Sequence, residues 1–153
     1  MSKSQREEES ERRRVSMNKS QSKLESRGQV RDKSEKGYHK LILWRKAREF
    51  VKLIYKITEK FPHAEEYGLK GQIRRAAVSV VLNIVEGYRR NSTKEFLRFL
   101  NISGASLTEV EACLEIAMDL SYLKNSDYQL IEEKRSEIEA ILFSFEKSLR
   151  SKL

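Results

Sequence analysis

The sequence predicts an all-α protein folded as an antiparallel, up-down-up-down four-helix bundle. Three observations carry this: apolar residues recur at steps of three and four, Ser-x-x-Glu/Gln signals restart the chain, and the breaks between periodic segments are short. Leu43, Ala47, Phe50, Ile54, Ile57 and Phe61 mark the first stripe, so a helix is expected from about Leu41 to Lys60, where Pro62 stops it. The second helix is expected from Leu69 to about Arg90. Glu65 and Glu66 stand ahead of its N-terminus, where negative charge is favoured. Its strongly polar residues up to Tyr88 are only Lys70, Gln72, Arg74, Arg75, Ser79, Asn83 and Glu86, too few for a helix lying on a surface. Ala77, Val78, Val81, Leu82 and Val85 exceed what one bundle seam covers, and self-association is therefore expected.

Ser92 with Glu95 forms a capping box that opens a third helix of roughly 28 residues. Phe96, Leu100, Ser103, Leu107, Val110, Leu114, Ala117 and Ser121 are its expected seam. Ser126 with Gln129 repeats the cap signal for a fourth, seamed by Ile131, Ile138, Leu142, Phe145 and Leu149. Residues 1–37 differ in kind. They hold eleven Lys/Arg and seven Asp/Glu against, after Met1, only Val15, Met17, Leu24 and Val30 as larger apolar residues. Such a segment cannot offset its chain entropy by burial, so a disordered charged arm is expected to precede a bundle of residues 38–153.

The formal charge is +8. It is unevenly placed, because residues 38–98 carry fourteen Lys/Arg and six Asp/Glu, net +8, while residues 99–153 carry six and ten, net −4. That polarity suits a polyanion on one side or head-to-tail association. One cysteine, Cys113, excludes an internal disulfide and a multi-cysteine metal site. No apolar run reaches the length of a membrane span, so a cytoplasmic protein with no membrane partner is expected.

A group of uncommon pieces now appears in order: Leu43-Trp44-Arg45-Lys46-Ala47, Phe61-Pro62, Tyr67-Gly68-Leu69, Gln72-Ile73-Arg74-Arg75-Ala76-Ala77-Val78-Ser79, Asn83-Ile84-Val85-Glu86-Gly87 and Glu95-Phe96 with Arg98-Phe99-Leu100. From about Leu41 to Leu149 the chain resembles the bacterial four-helix-bundle proteins related to those encoded by 23S ribosomal RNA intervening sequences. The resemblance implies assembly as a ring of five. It also implies distant kinship with the accessory variability protein of diversity-generating retroelements, which binds nucleic acid and partners a reverse transcriptase. Val81 departs from the family, whose members often have proline there, and the charged arm is a second departure.

Arg74, Arg75, Arg89, Arg90, Lys94 and Arg98 are the densest basic set outside the arm, and they are the candidate nucleic-acid contacts, RNA before DNA. Arginine suits that task because its planar fork holds phosphate and stacks on bases. Ser79, Asn83 and Glu86 fall on one stripe of the second helix, with Glu109 as a partner from the third. They form either part of a polar groove or a satisfied network between helices or subunits, and the second reading is favoured because buried polar groups need one another. Gly87 and the run Ser103-Gly104-Ala105-Ser106 point to close helix contact. No nucleophile has a base, neither His39 nor His63 has ligand spacing, and Cys113 reads as a buried thiol, so no enzyme, cofactor or metal is expected. The expected function is an oligomeric RNA-binding adaptor. Its alternative is a protein-interaction scaffold, such as an accessory subunit of a reverse transcriptase.

Overall fold

The computed structural model describes residues 37–153, so the expected arm lies outside the described residues apart from Gly37. A 3-10 turn, Gly37–Lys40, leads into helix α1 (Ile42–Thr58), and a second, His63–Glu65, precedes α2 (Leu69–Tyr88). Helices α3 (Thr93–Asp119) and α4 (Asn125–Arg150) complete the bundle. Side-chain pairs show that neighbours run in opposite directions. Lys46 meets Glu137 at 2.9 Å and Lys60 meets Asp127 at 3.4 Å, so numbers rise along α1 as they fall along α4. Ser106 donates to Ser79 at 2.9 Å, and Gln72 donates to Glu109, giving the same sense to α2 and α3. Phe50, Ile54, Ile73, Ile84, Leu100, Leu107, Leu114, Ile131 and Ile138 are fully buried, so all four helices supply the core.

The closest pairing is α2 on α3, and small residues permit it. The buried Ser103 hydroxyl donates to the Val80 carbonyl at 2.8 Å, which places a side chain of one helix against the backbone of the other. A Cβ at Gly87 would stand 2.7 Å from Phe96 Cδ2 and 2.8 Å from Phe99 Cβ, so only glycine lets the α3 aromatics approach here. Gly104 is less crowded. Its Cβ would lie 3.4 Å from Leu142 Cδ2, in tight contact with α4.

The ends of the helices differ from the sequence reading in instructive ways. Helix α1 stops at Thr58 and α2 at Tyr88, each two residues early. Glu65 Oε2 accepts from the Leu69 amide at 2.8 Å, which gives a carboxylate to the start of α2. The Ser92 cap forms, accepting from the Glu95 amide at 3.1 Å, but the Glu95 side chain makes no return bond among the described residues. For α4 the expected Ser126 cap does not form. Lys124 is the N-cap and Ser126 lies inside the first turn, because the helix begins at Asn125, two residues earlier than a Ser126 cap would place it.

Ser121 is not part of the α3 seam. It is exposed at φ 59°, just past the helix, while the Ser121 amide donates to Met118 at 3.0 Å and the Tyr122 amide to Ala117 at 2.9 Å. These two bonds form a Schellman end, in which the left-handed position ordinarily belongs to glycine. The missing seam position of α4 is filled by Arg135. Its side chain is buried, bonded to Glu132 at 2.6 and 2.8 Å, to Glu139 at 3.3 Å, and 3.2 Å from Glu111 of α3.

Two stability outcomes are expected. Ser121→Gly raises the urea-unfolding free energy by about 0.5–1 kcal/mol, since it relieves the left-handed strain; no gain would contradict that assignment. Arg135→Met lowers stability at neutral pH by about 1–3 kcal/mol by leaving carboxylates without their cation. The hydrogen bond from Arg135 holds the Glu132 carboxyl below its ordinary value of 4.5, against the opposing effect of burial. A lowered folded value means that the contribution is full above 4.5 and is lost as pH falls through the folded value, so the wild type and variant should converge in acid. A constant difference down to the acid limb would rule out the ion pair as its source.

Candidate nucleic-acid interface

Helix α2 carries its paired arginines at opposite ends of the bundle, and the two ends are treated differently. From Arg75 to Arg89 the helical rise is about 21 Å, so the six candidate cations do not form one patch. At the first end, Arg74 turns inward. Its Nε donates to Thr58 Oγ1 at 2.9 Å, one terminal nitrogen reaches the Tyr55 carbonyl at 3.0 Å and Glu59 at 2.9 Å, and the guanidinium lies 4.4 Å from the Tyr55 ring centre. Lys70 is also buried, 2.7 Å from Glu66 and 3.8 Å from Glu59. Glu59 is accordingly held below the ordinary carboxylate range, first by the Arg74 hydrogen bond and then by the Lys70 and Arg74 charges. Arg75 is exposed and donates to Gln72 at 2.9 Å.

At the other end, Arg89, Arg90, Lys94 and Arg98 are all exposed around the short turn between α2 and α3. Arg90 pairs with Glu86 and lies 4.8 Å from the Phe99 ring centre, and Arg98 stacks more loosely on the same ring at 5.9 Å. No carboxylate among the described residues forms a salt bridge with Arg89, Lys94 or Arg98. The N-terminus of α3 adds its own positive pole.

Arg150 belongs to this end and was missed by sequence reasoning. It lines a depression of about 820 Å³ together with Lys94 and Arg98. Antiparallel pairing of α3 with α4 is the signal that points to it, because the last turn of α4 must then lie beside the first turn of α3. Nearby, burial pushes the Glu146 carboxyl up, with the Arg150 charge opposing.

The polar stripe bonds within the chain, partly buried at Ser79 and Asn83, buried at Ser106, and exposed at Glu86 and Glu109. Asn83 donates to the Ser79 carbonyl at 2.8 Å and to its hydroxyl at 3.0 Å, Ser106 completes the Ser79 hydroxyl, Glu86 takes Arg90, and Glu109 takes Gln72. Glu109 therefore meets the amide rather than an arginine of the stripe. Cys113 is buried, and burial followed by the Glu109 charge raises its thiol, which keeps it protonated.

Residues 39–144 match the family described as 23S rRNA-intervening sequence protein. The chain belongs to that family. The match spans α1 to α3 and most of α4, whereas Arg150 lies beyond it. A crystal structure from Bacteroides thetaiotaomicron VPI-5482, of a protein with unknown function from the S23 ribosomal protein family, is 28% identical, with a TM-score of 0.63. The alignment covers 69% of this chain and 99% of that one, so the shared part is the bundle. No curated protein matches the chain. Among the described residues of this family member, no helix is long and apolar enough to cross a membrane, and no three His, Cys, Asp or Glu side chains gather as a metal would require.

Within this family member the two arginine positions are separable by stability. Arg74→Ala should cost about 1–2 kcal/mol in chemical denaturation, because it strips bonds from the buried Thr58 hydroxyl and the Tyr55 carbonyl. Arg89→Ala should stay within about 0.5 kcal/mol of the parent. Equal costs at both positions would contradict the inward placement of Arg74.

Proposed function

We propose that this protein is a non-enzymatic, cytoplasmic, oligomeric adaptor that binds structured RNA through the end of the bundle where α2 meets α3. The observation that carries it is the set of exposed cations at Arg89, Lys94 and Arg98, which no described carboxylate neutralises, while Lys70 and Arg74 at the opposite end are paired. A phosphate backbone supplies the missing negative charge, and the exposed Tyr88 offers a ring beside Arg89 for an unpaired base. Residues 1–37, net +4, add sequence-independent attraction. The family description links its members to 23S rRNA, which favours RNA over DNA. Arg74 has no part in this contact.

Self-association is supported by apolar side chains left in water on the outer faces of α2 and α3. Leu82 is 60% exposed and Ile116 is 49% exposed, and a neighbouring copy in a ring of five would cover them. A scaffold reading, with a polymerase such as a reverse transcriptase as partner, draws on two separate features, Phe143 of α4, which is 69% exposed, and the apolar groove between α1 and α4.

Filter binding to ribosomal RNA fragments across a salt series separates these readings. The wild type should bind at low salt, and alanine at Arg89, Lys94 and Arg98 together should reduce the slope of log affinity against log salt by about 2–3. Undetectable binding at low salt, or an unchanged slope in the triple variant, would sink the RNA reading. Protein retained in pull-downs from nuclease-treated lysate would then favour the scaffold.

A further inference from the structure

The depression between the first turn of α3 and the last turn of α4 has a composition that a general basic surface does not need. Its volume of about 820 Å³ lies in the roughly 300–1,000 Å³ range of small-molecule sites. Lys94, Arg98 and Arg150 stand on its walls, and Leu97, Ile102 and Ala105 supply an apolar lining. An extended phosphate backbone uses the cations and leaves that lining wet. A lipid tail or apolar peptide would use the lining and leave three charges without partners. An unpaired nucleotide uses both, since its base is flat and apolar on its faces and its phosphate is anionic.

We infer that this pocket takes one unpaired nucleotide of an RNA strand, with its phosphate on Lys94, Arg98 and Arg150 and its base against Leu97, Ile102 and Ala105. The inference rests on the RNA reading above and makes it more specific. Glu95 also lines the pocket, and its carboxylate forms no hydrogen bond or ion pair with a described residue. A lone carboxylate in a cationic pocket repels free phosphate, but it accepts hydrogen bonds from the exocyclic amino groups of adenine, cytosine and guanine. Asn101, on the same wall, can donate to a ring nitrogen. Uracil offers Glu95 only its ring N3–H, which lies between two carbonyl oxygens that repel the carboxylate. The pocket therefore favours an amino-bearing base over uracil, and it excludes a base that remains paired in a duplex.

The test uses the full chain with fluorescently labelled short oligoadenylate, oligouridylate and an RNA duplex of matching length, read by anisotropy at one low salt concentration. Oligoadenylate should bind most tightly. Ala105→Trp places a large ring in the pocket at an exposed position and keeps every cation, so it should weaken oligoadenylate roughly tenfold while leaving the duplex within about twofold. Glu95→Ala should strengthen oligouridylate and abolish the preference for adenine. Circular dichroism confirms that both variants keep their helices. Wild-type binding with no preference among the three probes, or an Ala105→Trp effect that is absent or equal on duplex and single strand, overturns the pocket and leaves the RNA reading standing. Failure of all three probes to bind overturns both. Displacement of oligoadenylate by micromolar adenosine monophosphate would reassign the pocket to a free nucleotide.

Discussion

Close contact between α2 and α3 is the constraint on which the rest depends. Ser79, Gly87, Ser103 and Ser106 are small enough to bring two backbones together, and the Ser103 bond to the Val80 carbonyl fixes their register. Larger side chains at these positions would separate the pair and break that bond. With the register set, the end of α2 and the start of α3 are joined by a turn too short to wander. Four cationic side chains are thereby gathered within a few turns of helix.

The bundle does not neutralise its charges evenly, and the difference has a physical basis. Arg74 and Lys70 point toward α1, where desolvation obliges each to find a partner, and Glu59 and Glu66 provide it. Arg89, Lys94 and Arg98 point outward at the opposite end, where water satisfies them at little cost. Selection for stability alone would have little reason to keep that end so strongly positive, because exposed like charges repel. The polyanionic ligand proposed above would account for it.

Much of the fold was legible because periodicity survives the loss of all other information. Phe50, Ile54 and Ile57 announce a buried face whichever helix they pack against. The Ser92 cap was legible for the same reason, being local. What escaped were features in which a residue contradicts its type. Arg135 occupies a core position because carboxylates from two helices surround it, and no spacing rule assigns a guanidinium to a seam. Ser121 adopts a glycine conformation because a helix must end there, not because serine prefers it. At the candidate interface, composition found the cations but could not separate inward Arg74 from outward Arg89, since that depends on which neighbour each turn faces. Arg150 was invisible as a member of the cluster until α4 was laid against α3.

The two ends of this bundle are electrically unlike, and that has a bearing on symmetry. Copies arranged around an axis parallel to the helices would all turn their positive ends to one rim, so the field there would grow with each added subunit. A dihedral arrangement would divide the same charge between two opposite rims and weaken each. For the proposed assembly, the choice between those symmetries would thus decide whether RNA is offered one concentrated face or two dilute ones.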